Sequence, residues 1–310
     1  MARSVIDQPQ FQDENAALDF VEAHLWPNGP VCPFCGEQKR VGELKGKTTR
    51  PGLRKCYACQ KPFTVRMGTI FESSHLPLHL WLQVIHFMCA SKKGVSTRQI
   101  QRLLRCSMKT AWHLTHRIRA AMAPGGDIGK LGGEGKTVEA DETFLTNSPK
   151  TKKRQGGYEH KVAMMSLVER GGHTRSFVLP RSPNALDVKH AIWQHVHPES
   201  RLVTDGAQYY LFPPVAKHES VNHSRKEYVR GDVHVNTLEG YFSVFKRGMI
   251  GTYQKVSEKH LHRYVAEFDF RQNYRERLGY NDVSRADVAL QGFKGKRLTY
   301  RTIGRQEIGA

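Results

Sequence analysis

The apolar positions of this chain keep one period through its first half and another through its second. Ala17, Phe20, Val21, His24 and Leu25 recur at helical spacing and stop before Pro27 and Gly29, which predicts one amphipathic helix. From residue 75 to 122 the spacing is again helical. Pro77 suits the first turn of a helix running through Trp81, Leu82, Ile85 and Met88 and ending before Gly94. Ser96 reads as an N-cap for Thr97 to Leu104, with Ile100, Leu103 and Leu104 on one face, and Ser107 as the cap of the next helix, Met108 to Arg119. Two short helices around the tight turn at Arg105-Cys106 predict a helix-turn-helix. Its second helix would set Lys109, Thr110, His113, His116, Arg117 and Arg119 on or near a DNA groove. An ordinary helical pair with a solvated basic face shows the same spacing.

After the glycine-rich stretch Gly132-Gly133-Glu134-Gly135 the period changes to two. Thr137 to Phe144, His160 to Val168 and Thr174 to Pro180 read as strands, the last two joined at Gly171-Gly172. Val188, Ala191, Ile192 and Val196 then mark a helix, and Arg201-Leu-Val-Thr-Asp205-Gly a further strand. Three strands, a helix and a strand is the order of a ribonuclease-H-like α/β core. That order lays the strands carrying Asp141 and Asp205 side by side. In the later helix, Asn236 and Glu239 are three residues apart and Lys246 lies seven beyond Glu239, so all three share nearly one face. Leu261, Tyr264, Val265 and Phe268 form a core-facing stripe. The expected divisions are an N-terminal helical segment (1–30), a metal ribbon (31–70), the helix-turn-helix region (75–125), the α/β core (134–280) and a flexible basic tail (284–310).

Charge narrows the function. The 310 residues hold 48 Lys and Arg against 29 Asp and Glu, a formal net charge of +19. Such an excess points to a polyanion, because basic side chains that neutralise phosphates release counterions. Residues 1–30 run the other way, with five acids against Arg3 alone. The loop carrying Lys152, Lys153 and Arg154 could hold DNA near Asp141, and Arg247 beside Lys246 joins the same set. The N-terminus has no apolar signal region, and Leu76 to Ala90 is too short to span a bilayer, so a cytoplasmic protein is expected.

In a reducing compartment six cysteines are poor disulfide material. Four of them pair as Cys32-x-x-Cys35 and Cys56-x-x-Cys59, twenty residues apart. Each such turn brings two sulfurs to one side, and two pairs supply the tetrahedral thiolate set of structural zinc. Asp141, Asp205 and Glu239 suit a harder ion. Phosphodiester attack uses two divalent cations roughly 3.5–4 Å apart, and Mg²⁺ or Mn²⁺ takes carboxylate oxygens.

The succession C-P-F-C-G, C-Y-A-C, V-E-A-D-E-T, V-T-D-G, H-V-N-T-L-E-G-Y-F-S-V-F-K-R-G and V-S-E-K-H-L-H-R-Y resembles the bacterial DDE transposases of the 1595 insertion-sequence family, over about residues 15 to 275. The resemblance implies a transposase that cleaves element ends and joins the freed 3′-hydroxyl to target DNA. Its DNA partners would be terminal inverted repeats and a target, bound by a homo-oligomer beside the bacterial nucleoid. Asp141 matches the first acid and Asp205 the second. At the third place Asn236, followed by Lys246, competes with Glu239, the nearest carboxylate. Two rivals are a DNA-binding regulator with a dead core and a nuclease of the same fold that cuts without joining.

Overall fold

The computed structural model describes residues 4–124, 129–146, 161–180, 183–207, 210, 213–222 and 225–298. The chain divides into two units, one made of residues 1–91, 95–123 and 282–310, the other of residues 92–94 and 124–281.

In the first unit, helix α1 (Glu14–Leu25) starts where the Asp13 carboxylate accepts the Ala16 N–H at 2.8 Å. It buries Ala17, Val21 and Leu25. Its acids answer specific cations: Glu22 pairs with Arg54, and Glu14 with both Arg66 and His79. Strands β1 (Val41–Glu43), β2 (Arg54–Cys56) and β3 (Pro62–Phe63) form a small antiparallel sheet in that order. Helices α2 (Leu78–Ala90), α3 (Thr97–Leu104) and α4 (Met108–Met122) follow. The two expected caps are made: Ser96 accepts the N–H of Gln99 at 3.2 Å and Ser107 that of Thr110 at 3.1 Å. Between them Arg105 takes the left-handed conformation that ends α3 (φ 51°). The apolar face of α3 is narrower than its sequence suggests, since Ile100 is buried but Leu103 is half exposed.

The basic segment expected as a flexible tail from 284 is corrected by helix α8 (Asp282–Gln291). Arg285 is buried and donates to the Cys89 carbonyl at 2.9 Å and to Asp282 at 2.7 Å. Lys296 donates to the carbonyls of Ala121 and Ala123. Both cations therefore finish helices, α2 and α4, whose last carbonyls lack a partner within the helix. Arg301 and Arg305 lie outside the described residues.

The second unit is built on a five-stranded sheet of order β6-β5-β4-β7-β8, from β4 (Thr137–Thr146), β5 (Lys161–Glu169), β6 (Thr174–Val178), β7 (Arg201–Asp205) and β8 (Lys217–Val221). The first three strands are antiparallel, while β7 and β8 run parallel to β4 and β7 respectively. This is the ribonuclease-H-like arrangement. Alternation along β4 and β5 sends neighbouring residues to opposite faces. Val138, Ala140, Met165 and Leu167 meet Val188, Ala191 and Ile192 of helix α5 (Ala185–His195). Val162, Met164 and Val168 meet helices α6 (Asn236–Gly248) and α7 (Glu258–Asn273). The α7 stripe Leu261, Tyr264, Val265 and Phe268 is buried there. No described helix is long and apolar enough to cross a membrane.

Candidate active site and metal centre

The ribbon of the first unit gathers four sulfurs. Those of Cys32, Cys35, Cys56 and Cys59 all lie within 4.8 Å of one another. Cys32 to Cys59 and Cys35 to Cys56 are each 3.6 Å. Four thiolates at about 2.3 Å from a tetrahedral zinc stand roughly 3.8 Å apart, so the donor set and its spacing fit that ion. The ribbon core is small: Cys32, Cys56 and Phe63 are buried, with Trp26, Val41, Cys59 and Met67 around them.

The second cluster sits in the second unit. Ala140 faces Thr204 across the parallel β4–β7 ladder, so the next residues, Asp141 and Asp205, come side by side. Asp141 lies two residues from Glu139 and Asp205 two from Val203, both on the α6 side of the sheet. Carboxylate oxygens of Asp141, Asp205 and Glu142 all lie within 4.8 Å of one another. Glu142 is the member that motif reading missed. As the neighbour of Asp141 it starts on the opposite face, beside the buried Tyr210. The β4–β7 ladder ends at Ala140, so no paired strand separates its carboxylate from the other two.

The site is charged and partly dry. Burial, then the charge of Asp205, pushes the Asp141 carboxyl up to about 7, and Glu142 is pushed up to about 8 chiefly by burial. Glu239 also raises Asp141 through its charge and Lys246 lowers it, so both residues of α6 lie within Coulombic range. Glu239 does not enter the 4.8 Å carboxylate cluster. Asn236, Glu239 and Lys246 are exposed along the helix. A set of crowded carboxyl oxygens held against their own repulsion fits a divalent hard cation.

What holds α6 at this place is a buried acid two residues before Asp141. Glu139 is fully buried and accepts the N–H groups of Thr237 (3.0 Å) and Leu238 (3.3 Å) and the Thr237 hydroxyl (2.9 Å). A strand carboxylate thus caps the helix that carries Asn236 and Glu239. Arg170 pairs with Glu139 at 2.8 Å and donates to the carbonyls of Asp232 and His234, each at 2.8 Å, clamping the approach to α6. The acid alternation in V-E-A-D was a usable signal for Glu139. Nothing in the sequence marked Arg170, whose partners are more than thirty residues away. Glu139→Ala should lower the unfolding free energy by about 3–5 kcal/mol, the usual cost of stranding one member of a buried pair. Glu139→Gln should cost less, since its amide oxygen still accepts. Urea titrations giving equal losses, or none, would contradict this role.

The expected DNA-contacting residues separate. Lys109 is exposed, and with Thr110 and His113 it lines a groove of about 490 Å³ that also includes Ser73, His75 and Leu76. Arg119 is corrected: it is buried, as is His116, while Arg117, also buried, still borders the same groove. Arg117 donates to the carbonyls of Ile70 (2.9 Å) and Leu298 (3.1 Å). The C-terminal half of α4 is buried from Leu114 to Arg119, and of that stretch Leu114 and Arg117 border the groove. Arg247 is exposed and donates to the Ser243 carbonyl. Lys152, Lys153 and Arg154 lie outside the described residues.

Residues 130–273 match the ISXO2-like transposase domain, and residues 12–62 match the transposase zinc-ribbon domain of the same family. An uncharacterized protein in transposable element ISH50 of Halobacterium salinarum is 26% identical over 281 residues, 84% of this chain and 91% of that protein. A cryo-EM structure of the simian T-cell lymphotropic virus intasome in complex with PP2A regulatory subunit B56 gamma aligns with a TM-score of 0.30 at 12% identity. It covers 56% of this chain and 63% of that one, a likeness too low to bear on the fold. Two matched domains in their expected order, each spanning one of the two ligand clusters, place the chain among the zinc-ribbon transposases of the 1595 insertion-sequence family.

Proposed function

We propose that this transposase cuts the ends of its own element and joins the freed 3′-hydroxyl to target DNA, with Asp141 and Asp205 holding two Mg²⁺ or Mn²⁺ ions. The observation that carries the reading is the meeting of Asp141 and Asp205 from adjacent parallel strands. Divalent cations there would activate the attacking oxygen and stabilise the leaving one. The chain's own residues supply the rest. Asp141, Asp205 and a third group from Glu142, Asn236 or Glu239 offer the oxygen ligands. Lys246 meets phosphate on the open side of the carboxylates, and Arg247 adds a neighbouring charge. Lys109, Thr110 and His113 touch the terminal repeat. Two ends must be brought together, which favours a homo-oligomer on DNA, in the cytoplasm beside the nucleoid. End-labelled duplexes from the DNA bordering the gene test this reading. Joined products support it, and hydrolysis alone would leave a nuclease.

The third ligand can be singled out by comparing Glu142→Gln, Asn236→Ala and Glu239→Gln in Mg²⁺ and Mn²⁺. The true ligand should show the severest loss of strand transfer, about a hundredfold or more in Mg²⁺ from several kcal/mol of lost charge stabilisation. Mn²⁺, with looser geometric demands, should restore part of it. Equal, mild losses at all three positions would leave the site with two protein ligands.

Metal binding should follow pH with a defined sign. Asp141 and Glu142 have raised carboxyls, so their contribution to metal-free stability is full below the ordinary carboxylate range and is lost as pH rises through about 7 to 8. A cation offsets that loss and competes with the same protons. The rise in Tm on adding Mg²⁺ should therefore grow across this window and be small below it. A metal effect independent of pH would contradict it.

A further inference from the structure

We propose that the turn after α6 is a DNA-opening wedge, in which Ile250 enters the base stack at the element end while surrounding cations hold the flanking phosphates. The proposal rests on the reading that DNA is the substrate.

Residues Met249–Tyr253 form a π-helical turn directly continuing α6. Such turns add a residue to the helical circuit and are frequent at functional sites. Ile250 is 75% exposed, although Met249 before it is buried. The turn is not slack. Tyr253 closes it by donating to Glu267 at 2.6 Å and by packing edge-on against Tyr264, with ring centres 4.8 Å apart. Gln254 ends it at a positive φ (59°), its N–H returning to the Met249 carbonyl at 2.8 Å. Two glycines let the chain close in around it. A Cβ on Gly94 would stand 1.8 Å from the Tyr253 hydroxyl, and one on Gly248 would stand 2.8 Å from the Lys93 carbonyl. So fixed a base holds the exposed Ile250 side chain out toward an incoming partner.

The surroundings name that partner. Lys92, Lys93, Lys246, Arg247 and Lys255 are all exposed, and they lie just past the turn, on the end of α6, or on the segment packed against both. An apolar tip in a field of cations suits a polyanion with an apolar interior, which is duplex DNA. Proteins that kink or open a duplex insert Ile, Leu, Phe or Met between base steps while basic side chains hold the backbone. Position agrees: Ile250 lies about one helical turn beyond Lys246, whose charge is felt at Asp141. A base step opened here would lie next to the phosphate presented to the carboxylates.

The test uses the full chain and duplexes from the DNA bordering the gene, with 2-aminopurine placed singly near the end. Fluorescence is read in an Asp141→Asn background so that no strand is cut. The parent should raise fluorescence at one position by unstacking it. Ile250→Ala should lose most of that rise while keeping DNA affinity and its salt dependence, and Ile250→Met should keep it. With Asp141 restored, Ile250→Ala should slow cleavage of paired ends about tenfold or more, because the unstacking step is no longer assisted. Ends already mismatched at that position should be cut at the parental rate. A full rise with Ile250→Ala, equal slowing on paired and mismatched ends, or no rise with the parent would each overturn the wedge. A normal rise in the Asp141→Asn background, combined with ends left neither cut nor joined by the protein carrying Asp141, would instead leave the wedge standing and remove the transposition reading.

Discussion

Asp141→Asn and Asp205→Asn are each expected to abolish DNA cleavage, by about a thousandfold or more, while DNA binding stays nearly intact. The size follows from the several kcal/mol that carboxylate-held cations contribute at a reacting phosphate. The separation follows from location. Both acids sit at the centre of the second unit's sheet, whereas Lys109, Thr110 and His113 belong to the first unit. Neither substitution should harm folding, since each removes charge from a site crowded with like charge. Cleavage rate, gel-shift affinity and Tm should thus move independently: the first lost, the second unchanged, the third unchanged or raised in metal-free buffer. Full cleavage by either variant would end the metal-site reading, and with it most of the case for catalysis here.

Loss of the ribbon metal should be the largest stability effect. Zinc in small ribbons contributes about 10–16 kcal/mol of binding free energy that is also folding free energy. The ribbon has little else to rely on: three short strands and a core centred on Cys32, Cys56 and Phe63. Freshly purified protein should hold zinc at one ion per chain. Cys35→Ser, or prolonged chelation, should make residues 12–62 protease-sensitive while the core from 134 onward resists. Protein free of zinc whose ribbon resists digestion would show that the sulfur cluster is not a structural metal site.

Much of this was readable along the chain because the features are local. The two C-x-x-C turns, the caps at Ser96 and Ser107, and the strand acids Asp141 and Asp205 depend on spacing within a few residues. The pairing of Asp141 with Asp205 was legible for a different reason: strand, helix, strand order leaves few ways to place two parallel strands. Periodicity failed on α4. Arg117 and Arg119 look like solvated charges in sequence, but the helix is enclosed on several sides. The buried Arg117 guanidinium is accommodated there because the backbone carbonyls of Ile70 and Leu298 accept from it. The tail failed similarly, since Arg285 and Lys296 are spent on helix C-termini far away in sequence.

The sequence by itself determined the ligand types, the order of elements and the sign of the charge, because these follow from residue identity and short-range pattern. Only the tertiary structure decided which acids meet. Glu142 meets the carboxylates of Asp141 and Asp205 beyond the point where the β4–β7 ladder stops at Ala140, and Glu139 becomes the cap of α6 because that helix begins against its strand. Those outcomes depend on where one element ends against another. No local spacing carries that information, for it arises only when the sheet and its helices pack.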